Sequence, residues 1–154
     1  MSLDGVINEP PIRIGKSRIS GRGAFATRRI RKGARIIEYV GERISPSEAD
    51  ARYEGGPARH PRVLVFTVDT ETVIDAGVGG NASRFMNHSC EPNCEAVTRK
   101  RRIWIYALRA IEPGEELTYD YGLTGEPEDR DEQKRLYACR CGALTCRGTM
   151  FKPK

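Results

Sequence analysis

The 154-residue sequence contains no apolar run near the length of a membrane span. Its first residues lack the cationic start and apolar stretch of a secretory leader. An intracellular protein without membrane association is therefore expected. No internal repeat, heptad pattern or low-complexity tract is present, which excludes solenoids and coiled coils. Acidic residues are missing altogether from Ile12 to Arg35, where nine cations fall, whereas Ile111 to Glu132 carries nine carboxylates against Arg130 alone. Such polarity fits solvated strand faces and loops. It equally fits a basic N-terminal patch that accepts nucleic acid beside an acidic surface that attracts a basic peptide.

What is present favours a mainly β, single-domain fold. The length suits one core, and 16 Gly, 9 Pro and 38% hydrophobic residues imply short elements joined by many turns. Residues 1–11 read as a flexible lead. Ile12 to Ala26 predicts two short strands bent at Gly21, and Ala34 to Val40 a third. Ser45-Pro46-Ser47-Glu48 is a capping box with Pro at the first helical position, opening a short helix that Gly55-Gly56 ends. Val63 to Val68 and Thr72 to Ile74 read as paired strands, Gly77 to Gly80 as a loop, and Asn81 as the cap of a helical turn. Ile103 to Leu108 is a buried strand, with Arg99-Lys100-Arg101-Arg102 at the tip of a hairpin before it. Pro127 opens a helix candidate within 123–138, and 139–154 forms a separate C-terminal unit.

Five cysteines are an odd number in a chain expected to be intracellular, and point to metal or reactive thiols before disulfides. Cys139, Cys141 and Cys146 supply three soft ligands within eight residues, and a closed zinc site needs four. The fourth ligand has to come from Cys90, Cys94, His60 or His88, so the metal ties the C-terminal tail to a distant loop.

That loop, Arg84-Phe85-Met86-Asn87-His88-Ser89-Cys90-Glu91-Pro92-Asn93-Cys94, packs amide, imidazole, hydroxyl and thiol groups into a segment turned by Glu91-Pro92-Asn93. A second cluster follows, Glu116-Leu117-Thr118-Tyr119-Asp120-Tyr121-Gly122. Residues two apart on a strand face the same side, so Tyr119 and Tyr121 are expected to enter one pocket. Gly21-Arg22-Gly23 lacks the third glycine of a dinucleotide fingerprint and reads, on spacing alone, as a tight turn.

Taken in order, Lys16 to Ala26, Glu38-Tyr39-Val40-Gly41-Glu42, Arg84 to Cys94 and Glu116 to Gly122 resemble the four motifs of the SET-domain protein-lysine methyltransferases. Cys139-Arg140-Cys141-Gly142 through Cys146-Arg147-Gly148 resembles that family's post-SET zinc module. The resemblance spans roughly residues 12 to 151, with the SET domain at 12–122. It lacks a cysteine-rich pre-SET region, and Thr149 stands where an aromatic residue is frequent.

The resemblance implies a β-clip SET fold of small sheets with a pseudoknot that joins the Asn-His-Ser segment to the tyrosine motif. It implies that Gly21, Arg22, Gly23, Arg84, Phe85, Asn87 and His88 hold S-adenosylmethionine. Cys90 is then the zinc ligand beside Cys139, Cys141 and Cys146, which leaves Cys94 without a role. Tyr39, Phe66 and Tyr121 would line a channel that desolvates a lysine amine of reference pKa about 10.4, Tyr121 orienting it. Tyr119 would crowd the amine and favour monomethylation. The substrate expected is a protein lysine, a histone-like basic tail fitting the acidic C-terminal stretch, and the protein is expected to be a monomer, cytoplasmic in a bacterium or nuclear in a eukaryote. The competing reading is a catalytically silent SET module that binds zinc and a basic peptide or nucleic acid; a small basic zinc domain for nucleic acid is the third.

Overall fold

The computed structural model describes residues 9–54, 64–123 and 137–151. Gly55-Gly56, Val63 and the helix candidate at Pro127 lie outside them.

Ten strands and one α-helix carry the described chain. β1 (Ile12–Lys16) and β2 (Arg22–Ala26) form the expected antiparallel hairpin. Its turn closes with Ser17 N–H on the Gly21 carbonyl (2.8 Å), and Gly21 adopts φ of 44°, a region where a Cβ is costly. β3 (Arg35–Tyr39) fills the third predicted strand. β8 (Cys94–Arg99) and β9 (Arg102–Ala107) make the cationic hairpin, with Lys100 and Arg101 both at positive φ as a two-residue turn requires. With β10 (Glu116–Tyr119) these build a sheet in the order β1-β2-β10-β8-β9-β3.

A smaller sheet contains β4 (Glu42–Ile44), β6 (Val73–Asp75) and β5 (Val65–Thr67) in that order, β5 shorter than the run that predicted it and β6 one residue further along. α1 (Pro46–Arg52) packs on β6. Ser45 Oγ accepts the Glu48 N–H as the capping box demands, but the Glu48 carboxylate pairs with Arg52 one turn on instead of returning to Ser45. Arg52 also reaches Asp75, a fully buried carboxylate that accepts from Tyr53 and the Gly77 N–H as well. The helix is thus bolted to the sheet by one residue.

Two apolar clusters meet at Phe66. Ile30, Met86, Cys94, Ile105, Ile111 and Leu117 are in the cluster of the larger sheet, while Tyr39 and Ile103 from that sheet's β3 and β9 join Ile74 of the smaller sheet and Ala76 in the second, and Phe66 packs against both. Burial of each large aliphatic side chain contributes about 1.5–3 kcal/mol, so the seam between the sheets is firm. Asn81 caps a 3₁₀ turn at Ala82–Phe85 and also donates to the Glu38 carbonyl, aiming the following segment across that seam.

Candidate active site

β7 (Asn87–His88) pairs in parallel with β10, aligning Asn87 with Thr118 and His88 with Tyr119. The two polar clusters of the sequence therefore share one stretch of backbone. Two further bonds complete the junction. Tyr121 N–H donates to His88 Nδ1 (3.0 Å), and the Tyr121 hydroxyl donates to the Met86 carbonyl (2.6 Å).

β10 ends at Tyr119, so Tyr121 does not face the pocket by strand alternation. Its bonds to His88 and Met86 place it there instead, and its ring still comes 5.0 Å from that of Tyr119. A cavity of about 490 Å³ is lined by Tyr39, Val65, Phe66, Thr67, Tyr119, Tyr121, Gly122 and Leu123. Tyr39, Phe66 and Tyr121, expected to form a channel, are on its wall, and so is Tyr119, expected to crowd the amine. The Tyr39 ring lies 5.3 Å from Phe66, and Phe66 lies 6.1 Å from Tyr119. Tyr39 donates its hydroxyl proton to the Leu64 carbonyl (2.6 Å). With their protons held by carbonyls, the Tyr39 and Tyr121 oxygens offer lone pairs, and burial, with the neighbouring Tyr121 adding, raises the Tyr39 hydroxyl's pKa so that it stays neutral. Burial does the same at Tyr119, whose hydroxyl has no hydrogen-bond partner among the described residues.

Asn87 is buried, and its side-chain nitrogen is directed at Ser17 Oγ, the Ser20 and Arg22 carbonyls and Glu116 Oε2, at 2.9–3.1 Å. Ser17 Oγ lies 2.8 Å from both Glu116 oxygens. The amide thus pins the Gly21-Arg22-Gly23 turn beside the Arg84–His88 segment. A Cβ at Gly23 would displace the Glu116 carboxylate from Asn87 and Ser17. Ser17 and Glu116 escaped the sequence reading; their signal was only their place inside motifs whose other residues looked more reactive.

Cys90, Cys139, Cys141 and Cys146 bring their sulfurs within 4.8 Å of one another. The Cys90 sulfur is 3.5 Å from Cys139 and 4.0 Å from Cys146, close to the ~3.8 Å edge of a tetrahedron with 2.3 Å zinc–sulfur bonds. Arg147 N–H points at Cys90 Sγ and Gly148 N–H at Cys146 Sγ, each at 3.4 Å, as suits thiolates. Burial and crowding raise the Cys90 and Cys139 pKa values, a strain that a bound cation relieves. The donor set fits zinc. Cys94 is excluded: it is fully buried in the core at the start of β8, and burial pushes its thiol up to about 12.

His88 stands between the two centres. Burial lowers its pKa against the pull of Asp120, so it is neutral, and its 3.6 Å approach to Asp120 is not an ion pair. With Nδ1 accepting from Tyr121, Nε2 carries the hydrogen and faces Cys90 Sγ at 3.5 Å. The tail is fixed further by Phe151, which bridges Leu123 on the cavity wall and meets the Tyr137 ring at 4.8 Å. Thr149 bonds back to Tyr137 rather than facing the cavity wall.

The family model for the SET domain matches residues 21–122. A histone-lysine N-methyltransferase, H3 lysine-4 specific, of Schizosaccharomyces pombe is 45% identical over 143 residues, covering 89% of this chain and 15% of that protein. Its namesake in Saccharomyces cerevisiae is 43% identical over 146 residues, covering 90% of this chain and 13% of the relative. The histone-lysine N-methyltransferase trithorax of Drosophila virilis is 41% identical over 136 residues, covering 86% of this chain and 3% of the relative. The chain spans at most 15% of the length of these three relatives. With two-motif pairing, aromatic cavity and cysteine cluster in one fold and the family model covering most of its length, the chain belongs to the SET-domain family.

Proposed function

We propose that this protein transfers a methyl group from S-adenosylmethionine to the side-chain amine of a protein lysine, acting as a monomer. The observation that carries the reading is the cavity bounded by Tyr39, Phe66, Tyr119 and Tyr121 beside the Asn87–His88 junction. Aromatic faces favour cations, so such a channel admits an ammonium while stripping its water. Desolvation then lowers the amine's pKa and frees its lone pair. Tyr121, its hydroxyl proton held by Met86, orients the amine as acceptor, and Tyr39 does so from the opposite side.

The residues that would hold S-adenosylmethionine are the Gly21–Gly23 turn and Arg84, Phe85, Asn87 and His88. Asn87 acts by fixing the turn, since its amide nitrogen is engaged by four protein oxygens. What supports the fit is that Asn87 holds the Gly21–Gly23 turn beside this segment and His88 accepts from Tyr121 on the cavity wall, where aromatic faces suit a sulfonium. The group supplies an electrophilic methyl carbon. Zinc at Cys90, Cys139, Cys141 and Cys146 would hold the tail, with Leu123 and Phe151, against the channel mouth.

Tyr119 supports a monomethyl product. Its hydroxyl, on the cavity wall without a hydrogen bond to the described residues, takes the space or the water position that a second methyl needs. The names of the relatives, with the acidic 111–132 stretch, support a histone tail as substrate and a nuclear setting. Mass spectrometry of an unmodified histone H3 tail peptide incubated with enzyme and S-adenosylmethionine tests both parts. Monomethyl-lysine is expected; abundant trimethyl product overturns the product assignment, and no transfer to any lysine peptide overturns the activity.

A further inference from the structure

A second cavity, of about 510 Å³, lies away from the aromatic channel and shares none of its residues. Its cationic wall is built by local folding. Ile30 forms an isolated bridge with Ile111 through two 2.8 Å backbone bonds, and its side chain is sunk in the core. A single buried residue in a run of cations turns its neighbours outward, so Arg28, Arg29 and Arg31 are all exposed around it. Gly33 at φ of 83° then closes a turn in which Gly33 N–H bonds the Ala107 carbonyl and Ala107 N–H bonds the Ala34 carbonyl. A bulge in β3 between Arg35 and Ile37 leaves Ile36 and Ile37 buried and Arg35 exposed. The Arg35 guanidinium sits 4.2 Å from the Trp104 ring centroid, and that of Arg102 sits 4.8 Å from it.

Charge in this groove is unbalanced. Arg29 is paired with Glu112, and Glu38 with Arg102. Arg28, Arg31 and Arg35 make no ion-pair contact among the described residues, Arg35 acting on Glu38 only at longer range, and the only other carboxylate among the described wall residues is Glu9. Three guanidinium forks carried on backbone that is already hydrogen-bonded suit phosphates, because only side chains have to be ordered on binding and Arg35 is already stacked on Trp104.

We propose that this groove docks the phosphate backbone of duplex DNA. Single strands are bound by stacking bases on aromatic rings, and here the one aromatic surface, Trp104, is engaged by Arg35 and Arg102. An acidic peptide added as a strand to β3 is disfavoured because the Glu38 carbonyl already accepts from Asn81. The exposed lining is dominated by arginines, which contact phosphate without reading sequence, so binding is sequence-independent. Strand β3 carries Glu38 on this groove and Tyr39 on the aromatic channel, so DNA held here lies one strand away from the channel. DNA docking does not depend on the methyl-transfer reading.

The test is fluorescence anisotropy of the chain with a random-sequence duplex of about 20 base pairs across a salt series. R28A/R31A is compared with R99A/K100A, which removes equal charge from the hairpin tip. For R28A/R31A, affinity is expected to fall at least about ten-fold at low salt and the log–log salt slope to shrink by about 1.8, whereas R99A/K100A keeps the slope. Arg35→Ala alone should lose part of the affinity, which guards against misfolding of the double variant. Absence of duplex binding overturns the proposal. So do equal losses in both double variants, or tighter binding of a single strand, of duplex RNA or of polyglutamate. Methyl transfer to a free peptide should be unchanged in R28A/R31A, so failure of docking and failure of the enzymatic reading are separately visible.

Discussion

Arg147 grips Asp120 with both guanidinium nitrogens, at 2.7 and 3.3 Å, and so joins the C-terminal cysteine segment to the residue beside Tyr121. Burial alone would raise the Asp120 pKa, but the Arg147 hydrogen bond, the Gly122 N–H and the Arg147 charge together outweigh it and hold the carboxyl below the usual range. Arg147 also donates to the Met150 carbonyl, and its backbone N–H faces Cys90 Sγ. The tail is therefore attached at a charged clamp as well as at the metal. Both partners are roughly a quarter exposed, so the pair contributes about 1–3 kcal/mol. Arg147→Ala is expected to reduce methyl transfer about ten- to a hundred-fold, the rate equivalent of that energy. Zinc stoichiometry should remain near one, as read by metal analysis of the purified variant. Unaltered transfer would mean that the clamp does not position the tail.

Cys90 and Cys94 separate the metal from the core. Cys90→Ser breaks the four-sulfur set and should release zinc, lowering the melting temperature and abolishing transfer, because structural zinc contributes on the order of 10 kcal/mol to folding of such small modules. Cys94→Ser should keep zinc and lose about 1–2 kcal/mol of stability from burying a hydroxyl where a thiol packed. Equal zinc loss in the two variants would contradict the assignment.

Much of this was legible beforehand, for identifiable reasons. Turn glycines, the Ser45 cap and the alternation of β9 are local signals, and those elements fell where local chemistry put them. Cys139, Cys141 and Cys146 named a metal by their spacing, but only the parallel pairing of β7 with β10 explains how Cys90 arrives beside them. Ser17, Glu116, Asp120 and Arg147 were passed over because an ordinary polar residue gives no sign of a partner 99 or 27 positions away. Tyr121 was placed on the correct cavity by a strand rule that its backbone does not obey.

Tyr119→Phe should enlarge the amine's surroundings by one hydroxyl without disturbing the rings, which remain packed through Phe66 and Tyr121. The expected result is a shift from monomethyl toward di- and trimethyl-lysine, with the first transfer slowed less than about three-fold, a barrier change below 1 kcal/mol. Product distribution over time, followed by mass spectrometry, decides the matter; an unchanged monomethyl product removes Tyr119 from control of the product.

Asp75 offers a pH test of the fold away from the metal. Burial raises its pKa, yet the Tyr53 hydroxyl, Arg52 and the Gly77 N–H together bring it below the ordinary carboxylate value. A depressed folded-state pKa means that the stability it contributes is fully present above the unfolded pKa of about 3.9 and is lost as pH falls through the folded value. Asp75→Asn should therefore cost about 1–3 kcal/mol near neutral pH, since an amide nitrogen replaces the oxygen that accepts from Arg52, while Arg52 keeps Glu42 and Glu48. Below about pH 4 the unfolded chain takes up a proton that the folded carboxyl resists, so the gap between the two proteins should narrow as pH falls toward the folded value. Urea denaturation across that range measures it. A gap that is constant with pH would show that Asp75 stabilises the α1–β6 contact by shape and hydrogen bonding rather than by charge.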